Sequence, residues 1–307
     1  MKIIRPLEVT PARLTATNVP DSTEPEYVSG QSYAEGDAVQ VAAVRKRYEA
    51  LTATSDYPPD GVDAYPPTWL ELGATNPWAM FDGRIGTLSE SSDAWPVGSG
   101  QGIQVEIDPG RVVNALALFG VSGNSVLVEM TDPTEGLVYS RTHSLTSKVG
   151  IDNWYAYLFD PIDRISDAVF LDLPSYRATT LRISISGTSG TAQCGLVVIG
   201  KTREIGKTQY GSSVGILDFS RKERDTFGRT DIVKRDYSKR VSFDLLLDAN
   251  RTDVAQKLLA EYRTTPIVWI GAEHYESTIV YGYYRDFDIV LANFPFSECS
   301  IEVEGLT

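Results

Sequence analysis

The sequence predicts a mainly β protein in which a small three-stranded module, a jelly-roll β-sandwich and a C-terminal β-sandwich with a single α-helix follow one another. Three observations carry this expectation. Apolar and polar residues alternate along several short runs, as on strands with one buried face. Other runs are apolar on both sides, as in the middle of a sandwich. One segment has the apolar spacing of an amphipathic helix. The chain has 307 residues, more than the roughly 100–200 at which single cores usually stop growing. Its 42% hydrophobic and 22% charged residues are ordinary globular values and exclude general disorder or a fibrous repeat.

Residues 1–26 read as an N-terminal arm or linker, with threonine-proline-type breaks and the acidic run DSTEPE. Residues 27–73 form a loop-rich module of short aromatic strands. Its SDYPPDGVDAYPP segment, with four prolines and a glycine in thirteen residues, is expected to hold no regular structure. From 74 to 200 the period is two. In GIQVEIDPG, Ile103, Val105 and Ile107 face one way and Gln104, Glu106 and Asp108 the other; Leu181, Ile183 and Ile185 repeat the pattern in LRISISG. VVNALALFGV and GLVVIG are apolar on both sides, and no amphipathic helix is expected there.

Residues 201–307 are strand-rich around one helix. Asn250 is placed to cap it, Asp253 to return the bond, and Val254, Ala255, Leu258, Leu259 and Tyr262 form its apolar stripe before Pro266 ends it. The strands around it are RVSFDLLLD, TPIVWIG, STIVYGYYRDFDIVL and SECSIEVEG. A boundary near 200 is also marked by charge. Residues 1–200 hold 13 basic and 24 acidic side chains, net −11, and residues 201–307 hold 15 and 17, net −2.

The overall net charge of −13 argues against a dedicated nucleic-acid binder, because neutralising phosphates needs surplus Lys and Arg. The N-terminus has no apolar stretch of signal-peptide length, and no run approaches the ~20 apolar residues of a membrane span. The expectation is a protein made and kept in a cytoplasm. Cys194 and Cys299 both lie in apolar strand-like runs. They read as either a disulfide across domains or, preferably, two buried reduced thiols.

No catalytic signature emerges. Neither His143, in SRTHSLTS, nor His274, in GAEHYES, neighbours a nucleophile, and both read as exposed loop or strand residues. No Cys or His spacing matches a metal site. Asp286 and Asp288 share a strand face and read as a solvated charged face in preference to a calcium site. SGTSG at 186–190 lacks the following helix and Lys of a phosphate cradle. No cofactor is expected. The segment from Arg221 to Arg240 interleaves charges of both signs, which suits hairpin arms docking on a neighbouring chain.

Tyr33-Ala-Glu-Gly-Asp-Ala-Val39, Tyr48-Glu-Ala50 and Pro67-Thr-Trp69 resemble the small chitin-binding-type carbohydrate-binding modules across residues 27–73. The resemblance implies that Tyr33, Val39, Tyr48 and Trp69 are mainly framework. The sugar-stacking pair that normally follows the second strand is replaced here by LTATSDYPP and DAYPP. Sugar binding would therefore fall to Tyr57 and Tyr65, with Trp69 beside them as a third candidate; otherwise the module is a spacer or docking unit. NPWAMFDGRIGT followed by GIQVEIDPGRVVNALALFGV resembles the opening of discoidin or galactose-binding-like jelly rolls, with Phe81 and Asp82 as a structural turn.

GSSVGILDFSRKERDTFGRT, the RVSFDLLLD strand, the helix and the closing VEGLT are similar to tail-tip and baseplate proteins of long-tailed bacteriophages. That resemblance implies a non-enzymatic virion protein of the tail tip. Its C-terminal domain would resemble tail-tube domains and join copies of itself into a ring of six or three. Other phage tail proteins and host cell-surface glycans would be its partners. The alternative is a glycan-active enzyme or glycan-binding protein with accessory modules.

Overall fold

The computed structural model describes residues 1–147, 154–155, 163–188, 190–224, 226–273, 275–293 and 295–306. Most of the described chain that is not loop is strand. A single long sheet runs through both large regions. Its spatial order is β11 (Ala168–Phe170), β8 (Ala115–Phe119), β14 (Leu196–Glu204), β1 (Lys2–Pro6), β20 (Ile267–Ile270), β21 (Ile279–Asn293), β22 (Phe296–Gly305), β19 (Tyr237–Asp248) and β15 (Lys207–Thr208). The strand β16 (Ser213–Asp218) also pairs with β19.

A second sheet lies over the β8 and β14 end. It comprises β10 (Gly136–Ser144), β9 (Ser125–Asp132), β12 (Thr180–Ser186), β7 (Gly102–Ile107) and β2 (Leu14–Thr17). Between the two sheets sits a core that includes Ile103, Val105, Ile107, Leu116, Leu118, Val126, Ile183 and Ile199. Every residue of β8 is buried, as its two-sided apolar run predicts. A short pair, β6 (Ser89–Ser91) with β13 (Ala192–Cys194), closes one end. The expected wet face of β7 is partly covered, because Gln104 is buried. Its amide exchanges hydrogen bonds with Val97 and donates to Ser184 Oγ at 2.9 Å, so the loop ahead of β7 lies over that face.

A second core packs the helix α3 (Thr252–Glu261) on the sheet through Ala255, Leu258 and Leu259 against Phe243, Leu245, Trp269 and Ile301. Asn250 does not cap this helix. It lies in a 3₁₀ turn, Ala249–Arg251, that runs directly into α3, and the cap position falls to Arg251 with no side-chain bond. Val254 stays exposed while the rest of the expected stripe is buried.

Residues 1–26, expected as an arm or linker, contribute β1 and β2. In β1, Ile3 enters the helix-bearing core, while Ile4 enters a third core with Ala117, Phe119, Val198, Val268, Ile270 and Tyr281. Both are fully buried. The two neighbouring isoleucines need cover on both faces, and each side chain so buried contributes about 1.5–3 kcal/mol. β1 therefore joins β14 to β20, antiparallel to both.

The small module is the sheet β3 (Ala38–Val41), β4 (Lys46–Ala50) and β5 (Trp69–Ala74). Its proline-rich loop holds one regular turn, α1 (Pro58–Val62), contrary to the expectation of none. Proline is tolerated in a first helical turn because the N–H there has no intrahelical acceptor. A second one-turn helix, α2 (Asn76–Ala79), begins the sandwich. Arg45 places its guanidinium 4.6 Å from the Trp78 ring centroid, tying module to sandwich, and Arg47 donates to Glu24 of the N-terminal segment at 3.1 Å.

Candidate functional site

The aromatic residues of the small module separate into packed and presented groups. Tyr33, Val39, Val41, Tyr48, Ala50 and Trp69 form its buried core. Trp69 is 1% exposed, meets Tyr33 edge-on with centroids 5.4 Å apart, and donates its Nε1 hydrogen to the Asp56 carbonyl at 3.2 Å. As a candidate sugar contact it is corrected: an indole enclosed on every side has no face to offer a pyranose. So few strands enclose so little volume that the largest ring must fill the centre.

Tyr57 and Tyr65 are placed differently. Tyr57 is 38% exposed and edges onto Tyr27, which stacks on Tyr33 at 5.6 Å, so one side of its ring is fixed by the core. Tyr65 is fully exposed, 103%, at the far end of the loop, and packs on no other ring among the described residues. The structure thus leaves two presentable tyrosines on either side of α1, without bringing Trp69 to join them.

The second feature is a ribbon. Beyond the β16–β19 pairing, the chain continues as β17 (Arg221–Arg224) and β18 (Thr230–Val233), antiparallel, in register from Arg221 opposite Val233 to Arg224 opposite Thr230. The link is kept by Phe219 N–H donating to the Asp236 carbonyl and by Ser220 Oγ receiving the Arg235 N–H at 3.0 Å. All eight residues of the two strands are exposed. Ile216, Phe219, Ile232, Val233 and Tyr237 leave large apolar surface in water. Residues 219–237 hold six basic and four acidic side chains, net +2, on a chain of net −13. Alternating charge in the sequence pointed to this hairpin; its projection clear of any core was not readable there.

The remaining candidates are structural in their surroundings. His143 lies on β10, half-buried, with its ring edge-on to Phe170 at 6.1 Å, and burial holds its pKa below the ordinary value. His274 lies outside the described residues. Asp286 and Asp288 pair opposite Glu302 and Ser300 across β21 and β22, and no group of three potential metal ligands occurs among the described residues. Cys194 and Cys299 are buried free thiols in separate cores; burial raises their pKa values to about 12 and about 11. The Asp82 carboxylate accepts hydrogen bonds from Arg84 N–H and Thr87 Oγ1, so Phe81 and Asp82 form a turn.

A third feature went unnoticed in the sequence. Where the sandwich meets the helix-bearing half, a cavity of about 320 Å³ opens between Phe119, Asp167, Asp236, Tyr237, Lys239 and Tyr281. Its residues come from six segments spread from Ile85 to Leu306, so no local pattern announces it. Comparison of the chain with protein-family models, with curated proteins and with solved structures finds no match.

Proposed function

We propose that this protein is a non-enzymatic structural component of a bacteriophage tail tip or baseplate. Copies join around the tail axis through the β16–β19 and β17–β18 ribbon, and the small module points toward the host surface. The observation that carries the reading is the ribbon itself. A two-stranded hairpin is at best marginally stable in water, and this one extends from its sheet with isoleucine, valine and phenylalanine uncovered. Such a surface is a liability for a lone chain and a joint for an assembly. Its cationic surplus fits an acidic neighbour, which another copy of this chain supplies.

In the same reading, Tyr57 and Tyr65 are the residues offered to host glycans. Each contact would be weak, and many copies in a ring would gain avidity without new contacts. Light scattering after size exclusion, over rising concentration, tests the assembly. The full chain is expected to form a closed species of three or six copies that the Phe219→Ser, Ile232→Ser double variant does not form. A wild-type chain that stays monomeric at every concentration and never enters tails would overturn the proposal. A glycan array with Tyr65→Ala as control tests the second part separately.

A further inference from the structure

The cavity at the seam has the chemistry of a cation site. Its floor is aromatic: Phe119 and Tyr281 lie with centroids 6.0 Å apart and rings tilted by 38°. Three charged side chains line it. Lys239 Nζ donates to Asp167 Oδ2 at 2.6 Å, and Asp167 Oδ1 accepts from Ser166 Oγ at 3.2 Å, so the charges of that pair neutralise each other. The third, Asp236, has no hydrogen bond or ion pair to its carboxylate among the described residues. Lys234 and Arg235 precede it in sequence, but neither lines the cavity. Tyr237 stands beside Asp236 at the mouth, more than half exposed.

We propose that this cavity binds an organic cation, an ammonium or guanidinium group on a short apolar stem such as a lysine or arginine side chain. The lining carries one uncompensated negative charge. The aromatic ring left open at the cavity is that of Tyr237, 56% exposed beside Asp236; a π face attracts cations, and a carboxylate with open acceptors completes the charge and the hydrogen bonding. The apolar floor covers the stem. An anion would meet Asp236 with no free cation to hold it. The volume is at the lower end of small-ligand pockets, which fits one side chain and not an extended ligand. The apolar lining belongs mainly to the third core, with Ile85, Phe119, Ile279, Tyr281 and Leu306, so strands of the long sheet hold its walls. The proposal does not depend on ring assembly.

Titration of the full chain with N-acetyl-arginine methylamide, followed by NMR or calorimetry, tests it; the neutral citrulline analogue and a methyl glucoside serve as comparisons. Saturable binding of the arginine probe alone is expected. Asp236→Asn should weaken it about tenfold, as loss of one charge-assisted contact does. Tyr237→Ala should weaken it too, and Asp231→Asn, on the ribbon outside the cavity, should leave it unchanged. Lys239→Gln frees Asp167 and is expected to tighten binding, an outcome a purely structural role would not give. Equal binding of the citrulline analogue, an Asp236→Asn variant that binds as wild type, or Asp236-dependent binding of the glucoside instead would overturn the proposal.

Discussion

Removing the Trp69 indole would empty the centre of a core made of six buried residues and leave the Asp56 carbonyl without its donor. Trp69→Ala is therefore expected to cost about 3–5 kcal/mol and unfold the small module. Tyr65→Ala should stay within about 0.5 kcal/mol of wild type, because a fully exposed ring packs on nothing that folding needs. Circular dichroism melts of the two variants check this contrast. The same pair shows where sequence reading ran out. A tryptophan that fills a small core and a tyrosine that waits at its surface are both aromatics beside prolines, and only their neighbours tell them apart. At His143 the argument is one of protons. Burial, reinforced by Arg141 and opposed by Glu276, lowers the folded pKa below the ordinary 6.5. Well above that value both states are neutral and the residue contributes nothing to pH dependence. As pH falls below it, the unfolded chain takes up a proton that the fold resists, and stability drops. Between about pH 7.5 and about pH 5.5, His143→Gln should lose less melting temperature than wild type. Parallel slopes would show that the ring is not shielded as described.

Among the elements, β1 does the most for its length. At its end Pro6 lies opposite Gly200 of β14, where an added Cβ would collide with the Arg5 carbonyl oxygen. Gly200→Ala must push the two strands apart, and overpacking of this kind costs about 1–3 kcal/mol. The variant's melting temperature should fall, and amide exchange should quicken first along β1 and β14. If β1 stays as protected as in wild type, the close approach is not the constraint it is taken to be. Elements whose evidence is local were legible: the alternation in β7 and β12, the doubly apolar β8 and β14, and the stripe of α3 all follow from side-chain period. β1 was not. Five residues carry too short a pattern, and its partners lie in β14 and β20, so only the three-dimensional pairing shows that the segment is a strand between others. The α1 turn was missed for the opposite reason, since proline density outweighed the one position in a helix where proline costs nothing.

For the molecule as a whole, a sheet shared by sandwich and helix-bearing half means that neither half keeps all its edges covered alone. Scanning calorimetry of the intact chain is expected to show these two regions unfolding in one transition, with the small module, tied on by Arg45, as a separate event. A fragment of residues 201–307 lacks β1 and leaves the β20 edge open, so it should be less soluble than the same fragment co-expressed with residues 1–200. Two clearly resolved transitions for the large regions would contradict this. The position of β1 also has a consequence in time. It leaves the ribosome long before either strand it must lie between, and the sheet can close only after β20 has been made. Joining the two large halves must wait for that strand, although the sandwich core is complete by Ile199, and contacts of such sequence separation form slowly. For that interval Ile3, whose core is made of C-terminal residues, has no cover, a natural target for a chaperone.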